Sequence, residues 1–164
     1  MEYWRMVIRF LFRSHAMSDR LKKLTKEFEG CRLKPYKCPA GKLTIGYGRN
    51  LDDVGISQAE ADMMFERDFA KAEADVRDIC KEFGINVDDL IEQRFYVLTD
   101  MCFNLGKGGL KKFKKLFSAL KKASAAPLET SGSLYDDAAN AMLDSLWAKQ
   151  VGNRATKLAA LMRG

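Results

Sequence analysis

Proline is scarce in this chain of 164 residues, with three in all, and no repeat or low-complexity linker divides it, so helices meet few interruptions. Cysteine is scarce too. Four residues lie far below the density of a disulfide scaffold, so a packed core must hold the fold, and a reducing birthplace is the simplest reading. The single histidine, His15, argues against a zinc site, and the chain calls for no metal and no cofactor. No apolar run approaches the roughly 20 residues needed to cross a bilayer, because Arg5, Arg9 and Arg13 interrupt the first segment. No clear signal peptide or membrane anchor is read. What is present suffices for one core: 47% of residues are hydrophobic, which at this length closes a single sizeable domain.

Charge is unevenly placed. The net is +6, yet residues 52–92 are mostly acidic, whereas "KGGLKKFKKLFSALKK" (107–122) holds seven lysines and no acid. This predicts a basic face suited to an anionic cell wall or membrane surface. Nucleic acid is disfavoured as a partner, because no base-reading motif accompanies the charge. Residues 1–16 mix aromatics with arginines as an interfacial helix would; the other reading is an extension ahead of a start at Met17, and their role stays open.

Helical signals dominate the rest. "SDRLKKLTKEFEG" reads as a helix ended by Gly30. Ser57 and Glu60 form a capping box ahead of a helix over about 58–82, with Ala61, Met64, Phe65, Phe69, Ala72 and Val76 along one face. Asp88 or Asp89 is expected to cap a central helix, with Phe95, Leu98, Cys102 and Leu105 as its stripe and Gly106 as its stop. Shorter helices follow over 109–122, 134–146 and "NRATKLAALMR", with "ASAAPLETSGS" read as a loop. Only residues 34–50 favour extended structure and predict a small hairpin sheet. The fold class is α+β, mostly helical, with a cleft where a β lobe meets the helices.

Glu29 is the anomaly in this pattern. A carboxylate at a helix C-terminus meets the negative end of the dipole, and partial burial at a cleft would raise its pKa as a general acid requires. With Cys38 and Thr44 it forms E-x8-C-x5-T inside "EGCRLKPYKCPAGKLTIGYG". That run resembles the phage lysozymes, whose pattern is E-x8-(D/C)-x5-T. "GISQAEADMMFERD" is similar to the start of that family's interlobe helix, "MCFNLGKGGLKKF" to its central cleft helix, and "AKQVGNRATKLAALMRG" to its closing segment.

The resemblance implies one two-lobed domain over 17–164. Its β lobe spans about 31–56, an interlobe helix about 58–82, and its helical lobe about 85–164 plus 17–29. It implies a monomer made in the bacterial host cytoplasm that acts on peptidoglycan in the cell wall and causes lysis. The bond cleaved is β-1,4, between N-acetylmuramic acid and N-acetylglucosamine. Glu29 would be the general acid, Cys38 and Thr44 would hold the attacking water, Phe103 and Asn104 would line the saccharide cleft, and Arg154 would orient Glu29. Alternatives are a lytic transglycosylase acting on the same bond and a membrane-active cationic protein whose lysine-rich helix exposes Leu110, Phe113, Phe117 and Leu120.

Two departures alter the chemistry. Cysteine stands at 38 where many relatives have aspartate, so a thiol of reference pKa about 8.5 replaces an ionised carboxylate. Cys31 lies seven residues before it, and a disulfide between the two would form a redox off-state if their Cα atoms fall within about 7 Å; otherwise Cys31 is a small buried residue. Arg49 stands where many relatives carry histidine, so their supporting ion pair is not assumed. Cys80 and Cys102 read as core.

Overall fold

The structure is a computed structural model that describes residues 18–164, apart from the side chains of 128–130. The readings made for residues 1–16, His15 among them, lie outside the described residues. Helix α1 covers 18–29. Strands β1 (Arg32–Lys37), β2 (Leu43–Gly46) and β3 (Arg49–Asn50) follow, then α2 (Gln58–Phe83), a 3-10 turn at Val87–Asp89, α3 (Glu92–Leu110), α4 (Lys114–Ala125), α5 (Leu128–Leu143), α6 (Leu146–Val151) and α7 (Asn153–Arg163). The chain is a mostly helical α+β protein with one small antiparallel sheet of order β1-β2-β3. It divides into two compact units, the described residues up to Ala61 and Asp62–Gly164.

The first unit is built on its turns. β1 pairs with β2 so that Tyr36 faces Thr44 and Lys37 faces Leu43, and β2 pairs with β3 so that Thr44 faces Asn50. Between β1 and β2 the chain reverses over three residues: the Cys38 N–H donates to the Lys42 carbonyl at 3.0 Å, and the Gly41 N–H donates to the Cys38 carbonyl at 2.8 Å. Pro39 pre-sets its own φ for this reversal, and Gly41, at φ 78°, takes the left-handed position that a side chain would resist. At the start of α2 the Ser57–Glu60 capping box forms reciprocally. The Ser57 N–H donates to the Glu60 carboxylate at 2.7 Å and the Glu60 N–H donates to the Ser57 hydroxyl at 3.3 Å.

The second unit holds the core. Val76, Ile79 and Cys80 of α2, Val97, Leu98 and Met101 of α3, Leu116, Phe117 and Leu120 of α4, Ala138 and Met142 of α5, and Leu158 and Met162 of α7 are all buried. Cys80 and Cys102 belong to it, as read from their apolar helix faces. The apolar stripe of the lysine-rich run is likewise turned inward, with Leu110 of α3 and Phe117 and Leu120 of α4 fully buried. Two lysines of the basic run meet the acids of α2: Lys107 pairs with Asp78 at 2.6 Å, and Lys111 pairs with Glu82 at 2.5 Å. The acidic and basic stretches that stand apart in sequence therefore partly neutralise each other.

Gly106 does end the first stretch of α3, as read: it leaves helical geometry at φ 70°, ψ 164°, and a second short helical stretch follows it to Leu110. Two expectations are corrected. Asp88 and Asp89 lie in the 3-10 turn, and α3 starts later, after Ile91. The segment read as a loop at 123–133 is mostly helix. Pro127 sits just ahead of α5, where its missing N–H costs nothing, and the helix runs through Ser131 and Gly132, whose low propensity is outweighed by the packing of α5 on α4 and α7. On α2 the apolar face is buried only from Ala72 onward, and Met64 and Phe65 are exposed.

Candidate active site

Glu29, Cys38 and Thr44 all belong to the first unit. Glu29 is the last residue of α1, and Gly30 turns the chain at φ 65° into β1. Its side chain is exposed, so the partial burial expected from sequence is not found. One carboxylate oxygen reaches the glycine turn after β2, where a Cβ on Gly48 would touch it at 3.4 Å. Gly48 also sits at φ 84°. A side chain there is strained by that backbone conformation and packs directly against the carboxylate, so Gly48→Ala should lower activity while costing about 1–2 kcal/mol of stability. Activity per folded molecule, measured beside thermal unfolding, separates the two effects.

Cys38 and Thr44 flank the β1–β2 turn, with Cys38 opposite Lys42 and Thr44 one residue into β2. Thr44 is 4% exposed, and its hydroxyl donates to the Lys42 carbonyl at 3.1 Å. The Lys42 N–H, most strongly, and the Ala40 N–H and the Thr44 hydroxyl favour the charged form of the Cys38 sulfur. Against some desolvation, these donors hold the thiol below its ordinary pKa. Thr44 has one proton for two acceptors, so it can serve the Lys42 carbonyl or the Cys38 sulfur in turn. Iodoacetamide attacks only the thiolate. Its half-limiting rate at Cys38 should therefore fall at a lower pH than that of an ordinary peptide thiol measured beside it, and a midpoint at or above the peptide's would show that the donors are ineffective. Cys80, fully buried and pushed up to about 11 by that burial, should stay unlabelled in the folded protein.

The proposed Cys31–Cys38 bridge meets an obstacle. The two residues flank the whole of β1, and an extended strand of that length holds its ends roughly 20 Å apart, well beyond disulfide reach. Both thiols are free, and Cys31 is exposed where burial was the alternative expectation.

The turn is tethered by acids that sequence reading passed over. The Leu43 N–H donates to Asp52 at 2.8 Å, and Lys42 pairs with Asp53 at 2.8 Å. Arg49, in place of the family's histidine, forms its own pair with Glu60 at 2.9 Å and donates to the Gly55 carbonyl at 2.6 Å. The cue available in sequence was the "LDD" run soon after the strands, with acids suited to binding free N–H groups in a turn.

The second unit carries Phe103, Asn104 and Arg154. Phe103 is 40% exposed on α3 and packs against Phe65 with ring centroids 5.5 Å apart, forming an aromatic cluster with Phe69. The Asn104 carbonyl oxygen accepts from the Trp147 indole N–H at 2.8 Å. Arg154 holds Asp100 in a two-point fork, Nε at 3.0 Å and Nη2 at 2.7 Å. Asp100 is a functional candidate that sequence spacing did not reveal, since 54 residues separate the pair.

Comparison with known families now decides the relationship, because the model of the phage lysozyme family matches residues 26–163. The chain belongs to the phage lysozyme family. All six site residues fall within the matched region. The endolysin of Acyrthosiphon pisum secondary endosymbiont phage 1 is 33% identical over 87 residues, covering 51% of this chain and 55% of that endolysin. The pre-baseplate central spike protein Gp5 of Enterobacteria phage T4 is 26% identical over 85% of this chain, which corresponds to 27% of the spike protein. The match thus spans about half the length of one relative and about a quarter of the other. No described helix of this phage lysozyme family member is long and apolar enough to cross a membrane.

Proposed function

We propose that this chain is a muramidase that hydrolyses the β-1,4 bond between N-acetylmuramic acid and N-acetylglucosamine in bacterial peptidoglycan, acts at the cell wall and causes lysis. The observation that carries the reading is the Cys38–Thr44 pair: a thiol whose charged form is favoured by neighbouring N–H and O–H groups and a buried hydroxyl, on one hydrogen-bonded turn in the same unit as Glu29. Such a pair can hold a water with one lone pair free for attack. Glu29, whose exposed carboxyl leaves room for a glycosidic oxygen, is assigned the proton donation to the leaving group. Attack by a held water on the face opposite that proton is the inverting mechanism, with the catalytic groups about 6.5–9.5 Å apart.

The family's N-R-A segment assigns Arg154 to orienting Glu29; within its own unit the guanidinium is held by Asp100 in a two-point fork. Phe103 and Asn104 are assigned to saccharide contact: the exposed ring offers a stacking face, and the Asn104 amide N–H2 is free of partners among the described residues. The name of the endolysin relative supports a lytic role.

Product chemistry tests the proposal. Digestion of purified peptidoglycan should release reducing N-acetylmuramic acid ends, because water is the nucleophile. Anhydro-muramic products would show intramolecular attack and make the protein a lytic transglycosylase. Wall clearing without glycan cleavage would point to membrane action, which the burial of the α4 stripe opposes.

A further inference from the structure

The second unit holds a groove of about 540 Å³ bounded by the end of α3, by α4 and by α6, within the range of ligand pockets. Its walls are largely apolar: Leu105, Phe113, Leu116 and Trp147 line it, and the Phe113 ring meets the Trp147 ring edge-on at 6.2 Å. Leu146 stands at its rim with 76% of its surface in water, an unusual position for a leucine beside an open apolar groove.

The polar atoms of the wall are already committed. The Trp147 indole N–H donates to Asn104 at 2.8 Å. The Ser145 hydroxyl donates to the Met142 carbonyl at 2.6 Å and accepts from the Ala148 N–H at 3.1 Å. A sugar, which must be read through hydrogen bonds, finds few partners here. The groups left to meet a ligand are charged. Lys112 and Lys115 line the opening, and no ion pair holds either of them among the described residues; Asp144 and Gln150 complete the rim. Lys114 also lines the groove, with its ammonium 5.0 Å from the Phe83 ring. Three lysines against one carboxylate leave the opening cationic.

We propose that this groove binds one acyl chain of an anionic phospholipid, with the hydrocarbon against Phe113, Leu146 and the edge of Trp147 and the phosphate at Lys112 and Lys115. An apolar slot with a cationic rim fits a ligand that has an apolar body and an anionic end. Membrane contact by this route leaves the α4 stripe in the core, and it is independent of the glycosidase reading.

The test uses Trp147 as its own reporter. The sequence holds two tryptophans, so Trp4→Phe leaves Trp147 alone. Monomeric dihexanoyl phosphatidylglycerol should change its emission saturably. Dihexanoyl phosphatidylcholine should bind at least tenfold more weakly, and inorganic phosphate alone should give no change. Leu146→Asp, and separately the pair Lys112→Glu and Lys115→Glu, should each weaken binding at least tenfold with the circular dichroism spectrum unchanged. Vesicles of 30% phosphatidylglycerol in phosphatidylcholine should bind the parent and release the lysine variant. Equal response to both headgroups, a full response to phosphate alone, undiminished binding by Leu146→Asp, or displacement of the lipid by a chitin oligosaccharide would each overturn the assignment. The last would make the groove a glycan site.

Discussion

Glu29→Gln should leave the protein folded and lower peptidoglycan hydrolysis by about a hundred- to ten-thousand-fold, the range that a positioned general acid contributes. The amide keeps the size and hydrogen-bonding reach of the carboxyl group but has no proton to give to a departing glycosidic oxygen. Glu29 is exposed at the end of α1, so its replacement disturbs no core contact, and stability should stay within about 0.5 kcal/mol of the parent. Turbidity clearing of purified wall, normalised to folded protein, reads the effect. Activity above a tenth of the parent level would remove Glu29 from the role of acid.

Position 38 sharpens the same experiment through its pH dependence. The donors around the sulfur favour the thiolate and lower the Cys38 pKa, so a water held by that thiolate is lost as pH falls through the lowered value. Cys38→Asp replaces it with a group of reference pKa about 3.9, and the acid limb of the rate profile should move to lower pH with the maximum rate largely kept. Cys38→Ser has no ionisable group in this range and should lower the rate while removing that limb. If the parent and both variants share one acid limb, the limb belongs to another group.

What was legible in the sequence and what was not divides by range. E-x8-C-x5-T, the Ser57–Glu60 capping box and the hairpin are local: each is set by residues within a few turns of chain, where glycines, prolines and alternating side chains act through backbone preference. The fold class follows from the same signals. The Arg154–Asp100 fork and the Lys107–Asp78 pair join residues far apart in sequence, and neither partner bears a local mark that would name the other. α5 misled for a related reason. Pro127, Ser131 and Gly132 argue for a loop when read alone, and only packing against α4 and α7 makes the helix worth its propensity cost. The cysteine pair shows the converse: nearness in sequence suggested a bridge, yet six residues of strand keep the thiols apart.

The largest stability effect is expected at Phe117. Its side chain is fully buried and stacks on Phe83 with centroids 4.6 Å apart and planes within 16°. Phe117→Ala removes the ring from water-excluded surroundings and leaves a void that Leu116 and Leu120, already buried on the same helix, fill only in part. Substitutions of this kind cost about 3–5 kcal/mol, a large share of the 5–15 kcal/mol that holds a typical domain together, and should lower Tm by about 10 °C or more. Phe117→Leu keeps most of the volume and loses the stacked pair, so it should cost much less. Phe113, half-buried on the groove wall, gives the internal comparison: Phe113→Ala opens no sealed cavity, because its neighbourhood already admits water. A cost at Phe117 no larger than at Phe113 would mean that the α4 stripe does not anchor the second unit.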